Sequence, residues 1–387
     1  MKKIAIFGLG TVGSGVFQQL QADQHPQFEL KYIVVKNTEK ERQLSGFQNY
    51  LNSFETALND AEIEVVLEMI NDEEEAYKIV KQALLKGKDV ISASKKMLAK
   101  NLKELSELAK QHNSQLLFEA AVCGSIPILT LLGDYYYKNP IKSIRAIANG
   151  TSNYILESLF DQDLAYEEVL QNAQSKGLAE SDPTDDVSGG DASSKLSLLV
   201  AKAFGAEVLP SAIPTIGIAY IDPGSLTYFR SKQLKVKLIS EAVHEEGVLK
   251  VRTIPHLIDQ EDCFYHIEQE ENVVEVDNLL SGKQIFKGKG AGSYPTAQAM
   301  LADVYSLSQN RRTTVFNSQL NVSDTNEDIY YISGDYADLL RGQVLLRSDH
   351  FTVVESNIQS IERLANSGES VFVAQLSRRV YENYFTI

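Results

Sequence analysis

Between Lys176 and Leu196 the chain reads KGLAESDPTDDVSGGDASSKL. Five carboxylates, on Glu180, Asp182, Asp185, Asp186 and Asp191, stand there among glycines, small residues and a proline, and Lys195 follows. So much negative charge suits a metal loop, a solvated turn or a pocket for a small cationic molecule. A calcium loop needs the pattern D-x-[DN]-x-[DN]-G and a closing glutamate at its twelfth position. Counted from Asp182, the third, sixth and twelfth positions are Thr184, Val187 and Ser193, so the calcium reading fails. Asp182 precedes Pro183 and is read as shaping a turn. Asp191 could cap a helix beginning near Ala192. It is also four residues from Lys195, so the two share a helix face. Glu180 and Asp186 come from the preceding loop and can face the same space. Acids there suit an ammonium group, and a lysine suits a carboxylate or a proton transfer. A lysine exchanges protons near neutral pH only if burial or a neighbouring cation lowers its pKa, whereas paired acids raise it.

A second chemical signal opens the chain. Gly8, Gly10 and Gly13 form G-x-G-x-x-G, with Thr11 and Val12 inside the turn. The first glycine permits a tight turn, the second lets a pyrophosphate approach the backbone, and the third lets helix and strand pack closely. The helix that follows offers amide donors and the positive end of its dipole to phosphate. A dinucleotide site of this kind has an acid at the end of the second strand when it prefers NAD. Lys36 stands at that place, with Arg42 nearby, and cations favour the 2′-phosphate of NADP. Ser94, Lys95 and Lys96 follow the fourth strand, on the side of a parallel sheet where ligands bind. Lys95 is read as reaching the nicotinamide or substrate, and Lys96 as a solvated loop residue.

These residues need elements to hold them. KKIAIF, FELKYIVV, EVVLEMI, DVISAS and QLLFEAAV read as strands. Helical patterns follow the glycine turn and span Ala76 to Lys86 and Asn101 to His112. Such alternation predicts βαβ units and a parallel sheet. IKSIRAIANG and PTIGIAYIDP then read as strands, and helices are expected at Asn153–Phe160, Ala165–Lys176 and Ser193–Phe204. LKVRTIPHLI, NVVEVDNLL and KQIFKGKG read as further strands, and PTAQAMLADVYSLSQNR as a helix. The tail from Asp328 reads strand, short helix, two strands, helix and strand. The expected class is therefore α/β. A Rossmann-type parallel sheet occupies residues 1–132 with a helix from about 295–312, an α+β catalytic and dimerisation domain spans 133–294, and a small α+β region spans 328–387.

Composition sets limits. The 387 residues are 43% hydrophobic, enough for sizeable cores, and carry a formal net charge of -15. That balance argues against nucleic acid and anionic membrane as partners. No apolar run is long enough to span a bilayer, and the start lacks a signal-peptide profile. Two cysteines and six scattered histidines show no disulfide framework or zinc spacing. A cytoplasmic setting and a small-molecule substrate are the expectation.

Five segments, taken in order, resemble the homoserine dehydrogenase family: SASKKMLA, FEAAVCGSIPIL, IANGTSNYIL, GLAESDPTDDVSGGDASSKLSLLVAKAFG and GKGAGSYPTAQAMLADV. With the glycine turn they cover roughly residues 1–310. The resemblance implies an NAD(P)-dependent homodimer that interconverts aspartate 4-semialdehyde and homoserine. It implies Lys195 as acid/base with Lys95 assisting. It places Glu180 and Asp191 on the substrate, with Asp186 and Thr151 alongside, and Gly177, Gly290 and Gly292 against the cofactor. It also implies a monovalent-cation site, usually sodium, built from backbone carbonyls at Glu119, Val122, Gly124 and Ile126. Cys123 and Ser125 replace glycines typical of that segment, and Asn71 and Asp72 stand where many members carry glycines. The expected cofactor is NADP, with NAD as the alternative. The tail's order matches a ligand-sensing ACT module, although the usual Pro-Gly opening is absent. Two other readings fit the cofactor turn: a nonenzymatic NADP sensor, and a dehydrogenase of a related amino-acid aldehyde. The intact Lys95, Glu180, Asp191 and Lys195 oppose the sensor.

Overall fold

The computed structural model describes all residues except 24–26, 39–46, 138, 162–163, 308–313, 315, 317–319, 337–339, 368–369 and 387. Arg42 thus lies outside the described residues. The chain divides into two units. The first comprises 1–138, 197–207 and 288–318, and the second 139–196, 208–287 and 319–387.

In the first unit, β1 (Lys2–Phe7), β2 (Phe28–Val34), β3 (Tyr50–Leu51), β4 (Ile63–Glu68), β5 (Asp89–Ser92) and β6 (Leu116–Leu117) pair in parallel in the order β3-β2-β1-β4-β5-β6. Between them run α1 (Thr11–Asp23), α2 (Phe54–Asn59), α3 (Glu73–Leu85) and α4 (Lys95–Gln111). Ile4 to Phe7 and Val65 to Leu67 are wholly buried, as expected for strands covered on both faces. The order reverses between β1 and β4, which marks the crevice where such sheets bind ligands. A short α5 (Ile128–Thr130) follows later in this unit, as does α11 (Ser293–Ser306). Ala297, Met300 and Val304 of α11 pack in one core with Val16 and Phe17 of α1.

The structure corrects several expectations. The helix expected at Asn101–His112 begins at Lys95, with Ser94 as its N-cap residue two positions after the end of β5. QLLFEAAV pairs only at Leu116 and Leu117, and Glu119–Ala121 is a 3-10 turn. The reason is at Glu119, whose backbone N–H donates to Asp303 and whose carboxylate accepts from the N–H groups of Leu129 and Thr130, turning the chain. The strand β3 and helix α2 had no counterpart in the sequence reading.

The second unit holds a mixed sheet. Its strands are β7 (Ile141–Ile147), β8 (Lys235–Glu245), β9 (Val248–Ile258), β10 (Glu271–Asn278), β11 (Gly282–Lys289), β12 (Asn321–Val322), β13 (Glu327–Ser333), β14 (Gly342–Arg347), β15 (Phe351–Asn357) and β16 (Val373–Leu376). The order is β11-β10-β7-β8-β9-β16-β13-β15-β14, with β12 beside β9. The helices are α6 (Gly150–Asp161), α7 (Tyr166–Ser175), α8 (Thr184–Val187), the first turns of α9 (Gly190–Phe204), which from Ser197 onward belongs to the first unit, α10 (Pro223–Ser231), α12 (Ile358–Ala365) and α13 (Arg378–Tyr384). PTIGIAYIDP is not a strand. Its backbone bonds are split between β9, through Ile216 N–H to Thr253 O, and Val187, through Ile218 N–H. Gly217 passes so close to Val187 that a Cβ would lie 2.2 Å from its carbonyl. Both β8 and α10 were missed, although Asp222 caps α10 and Pro223 opens it.

The tail follows the strand, two strands, helix, strand order read from the sequence, and adds α13 after β16, which that reading did not contain. Between β13 and β14, the place of the expected short helix, the described residues contain no helix, and residues 337–339 lie outside them. The tail shares the second unit's sheet, since β16 pairs in parallel with β9 at Gln375–His256 and Leu376–Leu257.

That junction carries a pH dependence. Burial lowers the His256 imidazole from 6.5 to about 4, so it stays neutral in the fold. The unfolded chain takes up a proton below 6.5, so this contribution is intact above that pH and is lost as pH falls toward about 4. Between pH 7 and pH 5 the loss is about 2 kcal/mol. A His256→Gln variant should therefore show a smaller fall in melting temperature across that interval than the parent protein.

Candidate active site

In the first unit the candidate dinucleotide turn follows β1. Gly8 has φ +93, and a Cβ there would lie 2.6 Å from Met69 O. A Cβ on Gly13 would lie 2.3 Å from Gly8 O, so α1 can approach the strand only without one. Around the Cβ position of Gly10 nothing among the described residues lies within 4 Å. The outer glycines thus serve packing, and the middle one leaves a backbone surface open at the N-terminus of α1, where Thr11 and Val12 begin the helix. This suits a pyrophosphate. The later turn of Gly290 and Gly292 belongs to the same unit. Gly292 has φ +117 ahead of α11, and Ser293 Oγ donates to Thr11 O at 2.7 Å.

Lys36 is exposed and paired. Its Nζ lies 2.8 Å from Glu75 Oε2 and 3.9 Å from Asp72 Oδ2. The hydrogen bond to Glu75 holds its pKa above the usual lysine value. Asp72 also caps α3 by accepting from Glu75 N–H at 3.0 Å, which explains an acid where glycine is common. Lys95 is the first residue of α4 and is half-buried.

A residue that sequence reasoning passed over lies at the end of β4. Glu68 is wholly buried. It accepts from Ile70 N–H at 2.7 Å and Ser92 Oγ at 2.5 Å, and Ser94 Oγ lies 2.8 Å away. Burial pushes its carboxyl above the usual range. It ties the ends of β4 and β5 to the start of α4, immediately before Lys95. Its signal was an acid inside the apolar run EVVLEMI.

The segment around Glu119 is buried. The Glu119 carboxylate caps α5, and burial raises its pKa. Cys123 and Gly124 both have positive φ, at 54 and 49. A Cβ on Gly124 would lie 2.6 Å from Gly290 O. The carbonyls of Glu119 and Ile126 each accept one backbone N–H, from Val122 and Ile128. A carbonyl has a second lone pair, so a hard monovalent cation remains compatible with this donor set.

In the second unit the acid–lysine cluster is closely bonded. Lys195 is 8% exposed and Asp191 2%. Lys195 Nζ lies 2.7 Å from Asp191 Oδ2 and donates to Ala148 O at 2.5 Å. Asn149 Nδ2 donates to Asp186 Oδ1 at 2.6 Å and to Asp191 Oδ2 at 2.8 Å. Asn149 was not singled out in the sequence, though IANGTSNYIL contains it. Thr151 Oγ1 donates to Leu178 O at 2.6 Å, tying the start of α6 to the stretch leading to Glu180. Glu180 is exposed, and its carbonyl accepts from Gln174 Nε2. Asp182 shapes the turn as expected, accepting from both Thr184 N–H and Thr184 Oγ1. Gly177, at φ +71, terminates α7 and donates to Gln174 O.

A family model described as homoserine dehydrogenase matches residues 127–305, and one described as its NAD binding domain matches 8–119. The homoserine dehydrogenase of Helicobacter pylori is 33% identical over 322 residues, which is 80% of this chain and 75% of that protein. This chain belongs to the homoserine dehydrogenase family. The homoserine dehydrogenase of Lactococcus lactis is 29% identical over 397 residues, covering 97% of this chain and 92% of that one. Its similarity therefore runs through the C-terminal strands. The crystal structure of a homoserine dehydrogenase from Thiobacillus denitrificans aligns with a TM-score of 0.85 at 26% identity, over 97% of this chain and 98% of that one. As a homoserine dehydrogenase the chain is an NAD(P)-dependent oxidoreductase that interconverts aspartate 4-semialdehyde and homoserine. Each unit has a feature compatible with that chemistry: an open glycine turn in the first, and buried acids with a lysine in the second.

Proposed function

We propose that Asp186, Asp191 and Lys195, with Glu180 and Thr151, bind the amino-acid substrate and deliver its proton, and that NADP is the preferred cofactor. The observation that carries this reading is the buried contact between Lys195 Nζ and Asp191 Oδ2 at 2.7 Å, beside Asp186. Glu180, Asp186 and Asp191 take the substrate ammonium. Lys195, with Lys95 assisting, gives a proton to the alkoxide oxygen as it forms, directly or through water. Bound at the glycine turn, the reduced nicotinamide would supply the hydride to the aldehyde carbon. Gly8, Gly10, Thr11, Val12 and Gly13 hold the pyrophosphate, and Gly177, Gly290 and Gly292 lie against the cofactor. The carbonyls of Glu119, Val122, Gly124 and Ile126 form the cation site, with sodium as its ion. The test is cofactor oxidation with aspartate 4-semialdehyde, in wild type and in Lys195→Ala. Equal rates in the two would sink the assignment of Lys195.

The NADP preference rests on Lys36. Its partner Glu75 must share the cation with a 2′-phosphate, since the pair is solvent-exposed and weak. Lys36→Ala should lower kcat/KM for NADPH about tenfold, the scale of one hydrogen bond to a charged group. The value for NADH should stay close to wild type. Glu75→Gln should move the NADPH:NADH ratio upward. A ratio unmoved by either variant would remove Lys36 from cofactor choice.

The reading extends to a cytoplasmic homodimer serving threonine, methionine and isoleucine synthesis. For the dimer, support comes from the exposed Leu279, Leu280 and Ile285 at the β10–β11 hairpin.

A further inference from the structure

We infer that Asn149 is a positioning residue for this reaction: its side-chain amide holds Asp186 and Asp191 together beside Lys195. The inference rests on the proposed roles of those three residues and assigns a function to a fourth. Asn149 is 4% exposed and stands just beyond β7. Its amide nitrogen has two N–H groups, and each meets one carboxylate: Asp186 Oδ1 at 2.6 Å and Asp191 Oδ2 at 2.8 Å. The orientation of the amide is settled by its other end. Asn149 Oδ1 accepts from Ser152 N–H at 2.7 Å. A flipped amide would set an oxygen against two carboxylates and an NH2 group against a backbone donor.

The backbone around this amide is also held. Ala148, the preceding residue, accepts from Lys195 Nζ through its carbonyl. Gly150, the following residue, lies where a Cβ would be 2.6 Å from Glu270 O. Asn149 therefore cannot slide along the chain or swing without disturbing α6. Asp186 comes from α8 and Asp191 from α9, so no single helix sets their spacing. Two carboxylates brought together repel, and one tends to take up a proton. Two N–H donors between them offset that repulsion and leave both acids aimed for an ammonium. Asp191 Oδ2 accepts from Asn149 and also pairs with Lys195, so the amide fixes where Lys195 finds its partner.

Asn149 also caps α6, and a capping role alone makes a different prediction. Asn, Asp and Ser cap helices about equally well. Asn149→Ser should keep the cap and most of the parent melting temperature, whereas Asn149→Asp keeps the cap but buries a third carboxylate against Asp186 and Asp191 and should melt lower. Serine removes the two donors, and aspartate replaces them with a third carboxylate. If Asn149 positions the acids, kcat/KM for homoserine falls about tenfold in Asn149→Ser and about a hundredfold in Asn149→Asp, the scale of lost hydrogen bonds to charged groups. The KM for the cofactor should not move. Wild-type kcat/KM in both variants would overturn the inference, as would a loss of activity in Asn149→Ser that is fully recovered at temperatures where that variant is folded. Lys195→Ala is measured alongside. If it keeps full activity, the underlying catalytic reading fails. If it is inactive while the Asn149 variants are unaffected, only the role of Asn149 fails.

Discussion

Lys195→Ala should lower kcat on the order of a thousandfold, the scale of a lost general acid or base, and leave cofactor binding intact. The proposed site of the cofactor is the turn of Gly8, Gly10 and Gly13, and Lys195 is proposed to act on the substrate, so the two effects should separate. The expected split follows from what Lys195 does. It is buried, and its Nζ contacts Asp191 Oδ2 and Ala148 O, so its position is set by two separate elements. Alanine would leave Asp191 buried beside the place of a missing cation, and some stability would be lost as well. Lys195→Arg separates the two effects. Arginine keeps the positive charge but does not release a proton in the working pH range. The arginine variant should regain melting temperature and much of the substrate affinity while kcat stays low. Recovery of kcat by arginine would show that Lys195 acts by charge alone. The measurements are cofactor oxidation with aspartate 4-semialdehyde and titration of cofactor binding in each variant.

Arg252→Ala should destabilise the protein by about 3–5 kcal/mol, the cost of breaking a buried ion pair from one side. Arg252 is 5% exposed on β9. Its Nε lies 2.7 Å from Glu241 Oε1, and one terminal nitrogen lies 2.6 Å from Asp328 Oδ2. Asp324 Oδ2 is 3.7 Å away. Burial would raise the Glu241 carboxyl, but Arg252, His256 and Arg145 hold it below its ordinary value. Burial pushes the Asp324 carboxyl up despite the arginine. One guanidinium thus joins β8 and β9 to the segment that leads into β13. Removing it leaves three acids with reduced compensation. The double variant Arg252→Ala, Glu241→Ala should lose less stability than the sum of the single variants, because the second change removes one stranded charge. Strict additivity in denaturant unfolding would show that the pair is not coupled. Activity at low temperature should survive in the single variant, because Arg252 is not part of the acid–lysine cluster.

These two residues differ in how far sequence could reveal them. Lys195 is four positions from Asp191, and helical periodicity alone puts them on one face. Gly8, Gly10 and Gly13 are legible for the same reason: local backbone geometry dictates their spacing. Alternating buried runs and helices likewise announced the parallel sheet, because a strand covered on both faces must be apolar throughout. PTIGIAYIDP misled because an apolar run need not pair as a strand. Its backbone bonds go to Thr253 and Val187, partners that no local pattern names. The run QLLFEAAV stopped early because Glu119 meets Asp303 and Thr130, both distant in sequence or across a turn.

By itself the sequence determined the glycine turn, the acid–lysine helix face and the alternation that builds the first sheet, since each depends on neighbours a few residues away. Tertiary structure alone decided that Asn149 joins Asp186 to Asp191, that Glu68 ties two strand ends to the start of α4, and that Lys36 shares its charge with Glu75. It also decided that β16 joins the tail to β9. Those contacts link residues far apart along the chain, and a hydrogen bond or ion pair carries no periodicity for a sequence to display.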